Sequence, residues 1–162
     1  MNYIIREIKN TEYEKLNDFL YEAIFIREGE ELPDRKIINN PDLQVYVENF
    51  GTRPGDYCLV AEVNGSIIGA VWVRIMKDYG HIDDETPSLA ISLYKEYRGL
   101  GIGTEMMSRM LELLKRSGYK RASLSVQKEN YALRMYLKLG FEVVIDKQED
   151  YIMPLIYKEI IS

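Results

Sequence analysis

The sequence predicts an α/β (α+β) protein, and three local patterns support that prediction. Two segments rich in β-branched residues flank Asn64-Gly65, a pair that supplies the positive φ angles of a type I′ hairpin turn. A strand, a glycine-rich turn and an amphipathic helix follow one another from Leu89 to Arg116. A second strand and helix run from Ala122 to Gly140, so strands and helices alternate in the C-terminal half.

In the N-terminal quarter, Tyr3–Ile8 is predicted to form a strand. Thr11, with a glutamate three residues later, has the pattern of a capping box, and the apolar residues that follow recur at helical spacing until about Arg27. A charged loop comes next. A short helix is then expected to begin at Pro41 and to end at Gly51.

The middle of the chain predicts strands at Tyr57–Val63, Ile67–Ile75 and Leu89–Leu93. The helix after the glycine-rich turn is expected to end at Gly118. In the C-terminal third we expect strands and one helix, which are predicted at Ala122–Val126 (strand), Asn130–Gly140 (helix), Phe141–Ile145 (strand) and Tyr151–Tyr157 (strand).

Length and composition restrict the function class. The 162 residues fit one domain, 1–162, and 46% hydrophobic with 29% charged residues is ordinary for a soluble globular protein. A net charge of −5 argues against a nucleic-acid partner. The single cysteine and single histidine exclude a disulfide and a Cys/His zinc cluster, so we expect no metal. Without a signal peptide or a long apolar stretch, the sequence predicts a cytoplasmic protein with no membrane partner.

The segment Tyr97-Arg-Gly-Leu-Gly-Ile-Gly-Thr104 lies between a predicted strand and a predicted helix. Glycines let the backbone approach a ligand, and a helix N-terminus presents unpaired N–H groups, so this turn suits an anion such as a phosphate. It lacks the third small residue of a dinucleotide fingerprint and the lysine of a P-loop. A purely structural strand-to-helix turn is the alternative.

The spacing Arg98-x-x-Gly101-x-Gly103, preceded by Leu93-Tyr-Lys-Glu-Tyr and followed by Asn130-Tyr-Ala-Leu-Arg-Met-Tyr136-Leu-Lys-Leu-Gly-Phe141, resembles the GCN5-related N-acetyltransferase (GNAT) family. The resemblance is densest from Leu89 to Phe141. It implies a mixed, mostly antiparallel sheet of about six to seven strands flanked by helices. It further implies that the strands near Leu89 and Ala122 splay apart to hold acetyl-CoA.

The resemblance also implies roles for individual residues. The family's diphosphate-binding loop corresponds to Arg98, Gly99, Leu100, Gly101, Ile102, Gly103 and Thr104. The pantetheine arm would pair with the strand backbone near Ile91 and Leu93, and the Leu93 N–H would stabilise the thioester oxygen during transfer. Asn130 matches a position that contacts CoA, although it would equally serve as a helix N-cap.

Tyr136 matches the tyrosine that protonates the departing CoA thiolate in this family. Its spacing with Leu133 and Leu137 is also that of a core-facing aromatic residue, so both readings stand. A base must remove a proton from the acceptor amine. The candidates are Glu85, which we favour, and Asp83, Asp84, His81 or a water molecule, although a polar loop of this kind is often only a solvated turn.

These features predict an enzyme, an acetyl-CoA-dependent N-acetyltransferase that transfers an acetyl group to a primary amine by direct attack in a ternary complex. The alternative is a non-catalytic acyl-CoA sensor or interaction module. The acceptor, a small molecule or a peptide, is cationic if the acidic run Glu28, Glu30, Glu31 and Asp34 lines its site, and otherwise that run is a solvated surface. A homodimer is consistent with the general frequency of dimers among soluble proteins.

Overall fold

The computed structural model describes residues 1–76, 81–146 and 150–156, and within them seven strands form one sheet. The strands are β1 (Ile4–Glu7), β2 (Tyr57–Val63), β3 (Ser66–Arg74), β4 (Ser88–Leu93), β5 (Arg121–Gln127), β6 (Ile145–Asp146) and β7 (Asp150–Ile156). Their order across the sheet is β1-β2-β3-β4-β5-β7-β6. Only β4 and β5 run parallel, which confirms the predicted mixed, mostly antiparallel sheet.

The two parallel strands separate almost at once. Ser88 of β4 pairs with Ser123 of β5, whose N–H donates a hydrogen bond to the Pro87 carbonyl at 3.0 Å. In the described part of the chain the pairing of β4 with β5 goes no further, and β5 pairs along its whole length with β7 instead. The splay predicted near Leu89 and Ala122 is confirmed, and it opens a gap beside β4.

Helices cover both faces of the sheet. In the described residues the α-helices are α1 (Leu16–Glu22), α2 (Pro41–Gln44), α3 (Ile102–Arg116) and α4 (Leu133–Lys138). Successive residues of a strand point to opposite faces, so Trp72 of β3 packs in a cluster with Phe19 of α1, whereas Val71 packs in a cluster with Met106 of α3. The predicted hairpin is also present, with φ of 50° at Asn64 and 81° at Gly65.

The predicted start of the first helix is wrong. Asn10–Lys15 forms a 3-10 helix, and the capping contact is made by Glu12, whose carboxylate accepts the Lys9 backbone N–H at 2.8 Å. The sequence contains two overlapping pairs at the same spacing, Lys9 with Glu12 and Thr11 with Glu14. The Thr11 hydroxyl led to the prediction of a capping box at the second pair. The structure instead forms the capping contact at the first pair, through the Glu12 carboxylate.

Two predicted helices are too long. The helix expected to reach Arg27 ends at Glu22, because residues 24–26 line a cavity instead of continuing the buried face. The helix that begins at Pro41 as predicted ends at Gln44, well before Gly51. Turns follow it, and the positive φ angles of residues 49 and 51 are incompatible with a continuous helix.

The strand predicted at Phe141–Ile145 is mostly wrong, since the ladder begins only at Ile145. Phe141 is 2% exposed and packs its ring against Tyr136, which keeps residues 141–144 off the sheet. The last predicted strand is present as β7, and Tyr157 at its end lies outside the described residues.

A buried ion pair ties the segment around α2 to the sheet. The Arg74 guanidinium at the end of β3 donates two hydrogen bonds to the Asp56 carboxylate, both at 2.9 Å. It also donates to the carbonyls of Val45 and Glu48, at 3.1 and 2.6 Å. Both charged side chains are almost fully buried, so this one contact positions the chain that crosses in front of β3.

Candidate active site

A cavity of about 880 Å³ lies in the gap between β4 and β5. Both strands contribute to its lining, β4 through Leu89–Leu93 and β5 through Leu124–Val126. The cavity is also lined by the loop before α3, by α4 and by the turn that leads into α4. The remaining wall comes from the C-terminal end of α1 and the segments that follow it. The splay of the two strands is therefore what creates the site.

The loop before α3 requires glycine at two positions. The φ angle is 76° at Gly99 and 85° at Gly101, in the left-handed region that side chains other than glycine rarely adopt. A Cβ atom placed at either position would meet no protein atom within 4 Å. Both glycines line the cavity, so the backbone faces open space that a ligand can enter.

The N-terminus of α3 offers unpaired backbone donors to that space. The first helical hydrogen bond runs from the Glu105 N–H to the Gly101 carbonyl at 3.2 Å. The N–H groups of Ile102, Gly103 and Thr104 precede it, so they have no acceptor within the helix. These three donors, together with the positive end of the helix dipole, fit the diphosphate of acetyl-CoA.

The side chains of the predicted diphosphate loop do not contribute equally. Five of its seven residues line the cavity, and they are Arg98, Gly99, Gly101, Gly103 and Thr104. Leu100 is 55% exposed outside the lining, and the Ile102 side chain is buried in the core beneath α3. Ile102 is thus available to a ligand through its backbone only.

The register of β4 decides which of its amides face the gap. The Tyr94 N–H donates to the Ile68 carbonyl at 2.9 Å, and the β3 to β4 pairing continues without a shift. Because donors alternate sides along an antiparallel ladder, the Ser92 N–H also points to β3. The N–H groups of Ile91 and Leu93 therefore point into the gap, where the sequence reading expects the pantetheine arm and the thioester oxygen.

Tyr136 on α4 lines the cavity while its ring belongs to the hydrophobic core. It is 7% exposed, and its ring centroid lies 5.9 Å from that of Phe141. Burial raises the pKa of the Tyr136 hydroxyl well above its usual value near 10, and Tyr131 adds to the shift. The phenol stays protonated at neutral pH, so it can act as a proton donor.

Asn130 lines the cavity three residues before α4, and its side chain closes the turn that leads into the helix. Its Oδ1 accepts the Ala132 backbone N–H at 2.9 Å, while its carbonyl accepts the Leu133 N–H at 3.1 Å. The amide group of the side chain keeps its own donors. The helix predicted to begin at Asn130 begins at Leu133 with Ala132 as its N-cap, so the predicted N-cap role of Asn130 is wrong, and its contact with CoA stays a prediction.

Glu22 is a lining residue that sequence reasoning missed. The Arg98 guanidinium donates to the Leu93 carbonyl at 3.0 Å and to a Glu22 carboxylate oxygen at 3.1 Å. This contact joins the end of α1, the end of β4 and the glycine loop at one point. No local pattern could have revealed it, because the two charged residues are 76 positions apart.

The predicted base candidates lie away from the cavity. Asp83, Asp84 and Glu85 belong to the turn before β4, and none of them is among the residues that line the gap. Glu85 is exposed, and its backbone N–H donates to Asp83 Oδ1 at 2.8 Å. His81 hydrogen-bonds through Nδ1 to the Met76 carbonyl at 2.9 Å. Their catalytic role stays a prediction, because none of them lines the cavity.

Asp83 is engaged in holding this turn. Its carboxylate accepts the Thr86 hydroxyl at 2.8 Å and pairs with Arg121 at 3.2 Å. The hydrogen bond from Thr86 lowers the pKa of Asp83, with further contributions from the Glu85 N–H and Arg121. A carboxylate whose pKa is lowered is a weaker base, so Asp83 is better suited to structure than to proton removal.

Within residues 1–76, 81–146 and 150–156, no three His, Cys, Asp or Glu side chains cluster as a metal site requires. The helices in the same residues are all too short or too polar to cross a bilayer.

The sequence is similar to those of known acetyltransferases. The sequence pattern of the Acetyltransferase (GNAT) family matches residues 13–141. An uncharacterized N-acetyltransferase of Archaeoglobus fulgidus is 28% identical over 137 residues, which cover 80% of this chain and 88% of that protein.

Two solved structures share the fold. The PaiA N-acetyltransferase of Thermoplasma acidophilum, in complex with coenzyme A, has a TM-score of 0.66 and 22% identity over 97% of this chain and all of the other. YncA of Salmonella typhimurium, a putative acetyltransferase with its cofactor acetyl-CoA, has a TM-score of 0.68 and 18% identity over 98% and 95% of the two chains. The family match spans most of the 162 residues, and this chain accordingly belongs to the GNAT family of acetyl-CoA-dependent N-acetyltransferases.

Proposed function

We propose that the protein transfers the acetyl group of acetyl-CoA to a primary amine by direct attack while both substrates are bound. The observation that supports this most strongly is that one cavity combines two kinds of wall. The glycine loop, β4 and α4 form one side, and the end of α1 with the segment around α2 forms the other. Donor and acceptor therefore have separate surfaces within reach of each other.

Donor binding is assigned mainly to backbone groups. The N–H groups of Ile102, Gly103 and Thr104 would hold the diphosphate at the start of α3, as their lack of helical acceptors suggests. The gap-facing amides of β4, at Ile91 and Leu93, would pair with the pantetheine arm in the manner of an added strand. This leaves the thioester between β4 and α4.

The chemical step needs stabilisation of the thioester oxygen as the amine attacks. The N–H groups of β4 that point into the gap are held in position, because β4 is hydrogen-bonded to β3 along its other edge. Such fixed donors can stabilise the charge that develops on the oxygen. We assign this role to the Leu93 N–H, with the Ile91 N–H as the other amide of β4 that has the required direction.

Tyr136 would supply the proton that the departing thiolate takes. An ordinary tyrosine is a weaker acid than a thiol by roughly 1.5 pKa units, and burial weakens it further. The same low-polarity gap also disfavours the thiolate, which raises the pKa of the thiol and reduces the mismatch. The amine proton leaves through water, since no carboxylate of the predicted base loop reaches the cavity.

The test is the release of free CoA thiol from acetyl-CoA by the purified protein, with and without amines, while product masses are measured. Amine-dependent release with one acetyl group added to the amine would support the proposal. A protein that binds acetyl-CoA tightly but releases no thiol with any amine would instead be a sensor or interaction module, which is the alternative function.

A further inference from the structure

The acceptor side of the cavity has an apolar wall. The side chains that line it outside the predicted acetyl-CoA residues include Phe25, Ile26, Leu32, Pro33, Leu43 and Tyr46. A hydroxyl in the same wall, that of Tyr21, donates to the Pro33 carbonyl at 2.6 Å. A ligand here meets hydrocarbon and aromatic rings over most of its surface.

The described part of this wall carries little negative charge. Among the described residues that line the cavity the one carboxylate is Glu22, and it is paired with Arg98 at 3.1 Å. The positive charge of Arg98 offsets that of Glu22 at this point of the wall. A cationic group entering the cavity would lose its hydration without gaining a free partner.

The acidic run that the sequence offered for a polycation lies elsewhere. Glu28, Glu30, Glu31 and Asp34 are all exposed, and none lines the cavity. Glu30 lies 3.8 Å from the Arg27 guanidinium, and Asp34 accepts the Lys36 backbone N–H at 2.8 Å to cap the 3-10 helix that follows. The run is a solvated surface and does not form an acceptor site.

The scarcity of carboxylates in the described lining affects which protonation state of the amine can react. Only a neutral amine can attack, and an alkyl amine with a pKa near ~10.4 is neutral far less often at pH 7.5 than an α-amino group with a pKa near ~7.7. The difference of about 2.7 pKa units changes the neutral fraction by a few hundredfold. Glu22, the carboxylate among the described lining residues, is engaged by Arg98, so the site favours an amine that is already neutral.

We infer that the acceptor is a weakly basic primary amine carried on an apolar group, and this inference rests on the proposed acetyl transfer. In the step, the amine lone pair forms the new N–C bond and the C–S bond breaks with its electron pair left on sulfur. The sulfur takes the Tyr136 proton, and water removes the extra proton from nitrogen. The phenol regains its proton from solvent.

A panel of four amines tests the two parts of the inference. Phenylalaninamide and phenethylamine share ring and chain, but the carboxamide makes the first amine much less basic. Glycinamide keeps the weakly basic amine and lacks the ring, and spermidine is a polycation. We expect kcat/KM at pH 7.5 to be highest for phenylalaninamide, by at least about tenfold over each of the other three.

A variant of the wall supplies a second measurement. Leu32 is 73% exposed, so Leu32→Glu places a carboxylate in the lining with little risk to the fold. It should lower kcat/KM for phenylalaninamide and raise it for spermidine. The matched control is Ile37→Glu, which adds the same charge to a 38% exposed residue outside the lining and should change neither value by more than about twofold.

The outcomes separate the inference from the proposed function. Spermidine or phenethylamine as the better substrate would overturn the inference and leave acetyl transfer intact. Equal rates for glycinamide and phenylalaninamide would overturn the apolar part. Thiol release with none of the four amines, from a protein that still binds acetyl-CoA, would contradict the inference and the proposed function together.

Discussion

The two sides of the cavity are built in different ways. The donor side, from β4 through α3 to α4, presents backbone N–H groups at glycine positions and along a splayed strand. The acceptor side presents side chains from the end of α1, from the irregular segments that follow it and from the region of α2. Backbone recognition needs only a fixed chain path, whereas the second side can change its chemistry by exchanging side chains.

The two sides are also stabilised differently. The donor side rests on α3, where Met106, Met107, Met110 and Leu114 are fully buried against the sheet. On the acceptor side the chain around α2 packs Ile38, Val47 and Phe50 into a second apolar cluster, and the buried Arg74 to Asp56 pair ties it to β3. The acceptor wall therefore contains a buried charge pair, and loss of one partner leaves the other charge buried without its counter-charge, whereas the support of the donor side is apolar.

The largest effect is expected from Asp56→Ala. The substitution leaves the buried Arg74 guanidinium without its counter-charge, so the free energy of unfolding should fall by about 3–5 kcal/mol. Urea denaturation measures it. Glu48→Gln is the control, because its pair with Arg53 is exposed and 3.5 Å long, and it should cost less than about 0.5 kcal/mol. Similar losses in both variants would refute the anchoring role.

Gly101→Val addresses the donor side. The φ of 85° strains any side chain there, and the added atoms enter the space where a ligand approaches, so acetyl-CoA should bind at least about 30-fold more weakly, or ~2 kcal/mol. Calorimetric titration measures the Kd. Gly65→Val matches the strain, with φ of 81° and no atom within 4 Å, but lies in a remote turn. Normal binding by the Gly101 variant would contradict the assignment of this loop.

A smaller effect concerns acid stability. The hydrogen bonds of the Arg6 guanidinium lower the pKa of Glu12 from 4.5 to about 2. Since the folded pKa lies below the unfolded one, the stabilisation is complete above pH 4.5 and is lost as the pH falls toward 2. Glu12→Gln should therefore cost about 1 kcal/mol at pH 7 and progressively less below pH 4.5. A cost independent of pH, in thermal melts across this range, would contradict the pairing.

The smallest effect should come from the acidic run. The triple substitution of Glu28, Glu30 and Glu31 by glutamine removes charges that do not line the cavity, so kcat/KM for the best amine should change by less than about twofold. Steady-state kinetics at low and moderate salt measure it. A large loss for the triple variant would show that the acceptor reaches this surface after all.

The same contrast explains what could be predicted from the sequence. The glycines at positions 99 and 101 encode a backbone path directly, and Asn64-Gly65 does likewise, so the turn before α3 and the hairpin were predictable. Assigning acetyl-CoA to that turn depended on the resemblance to the GNAT family. The acceptor wall depends on tertiary contacts between distant residues, such as Arg98 with Glu22, which no local pattern reveals. The negative charge of the acidic run suggested that its residues line a site for a cationic acceptor, but all four side chains are exposed.

Local signals also misled where two of them competed. The hydroxyl of Thr11 suggested a cap that the chain builds from the Glu12 carboxylate instead. The apolar residues 24–26 continued a helical period, yet they line the cavity beyond the end of α1. In both places tertiary packing selected among local alternatives of similar free energy.

The most direct test of acetyl transfer is the single-turnover rate of Tyr136→Phe with saturating acetyl-CoA and the best amine, measured alongside the Kd for acetyl-CoA. Tyr119→Phe, whose ring contacts Tyr57 and does not line the cavity, is the control. Loss of the proton donor should slow transfer by about 100-fold while the Kd stays unchanged. A Tyr136→Phe rate equal to that of the control would contradict the proposed mechanism.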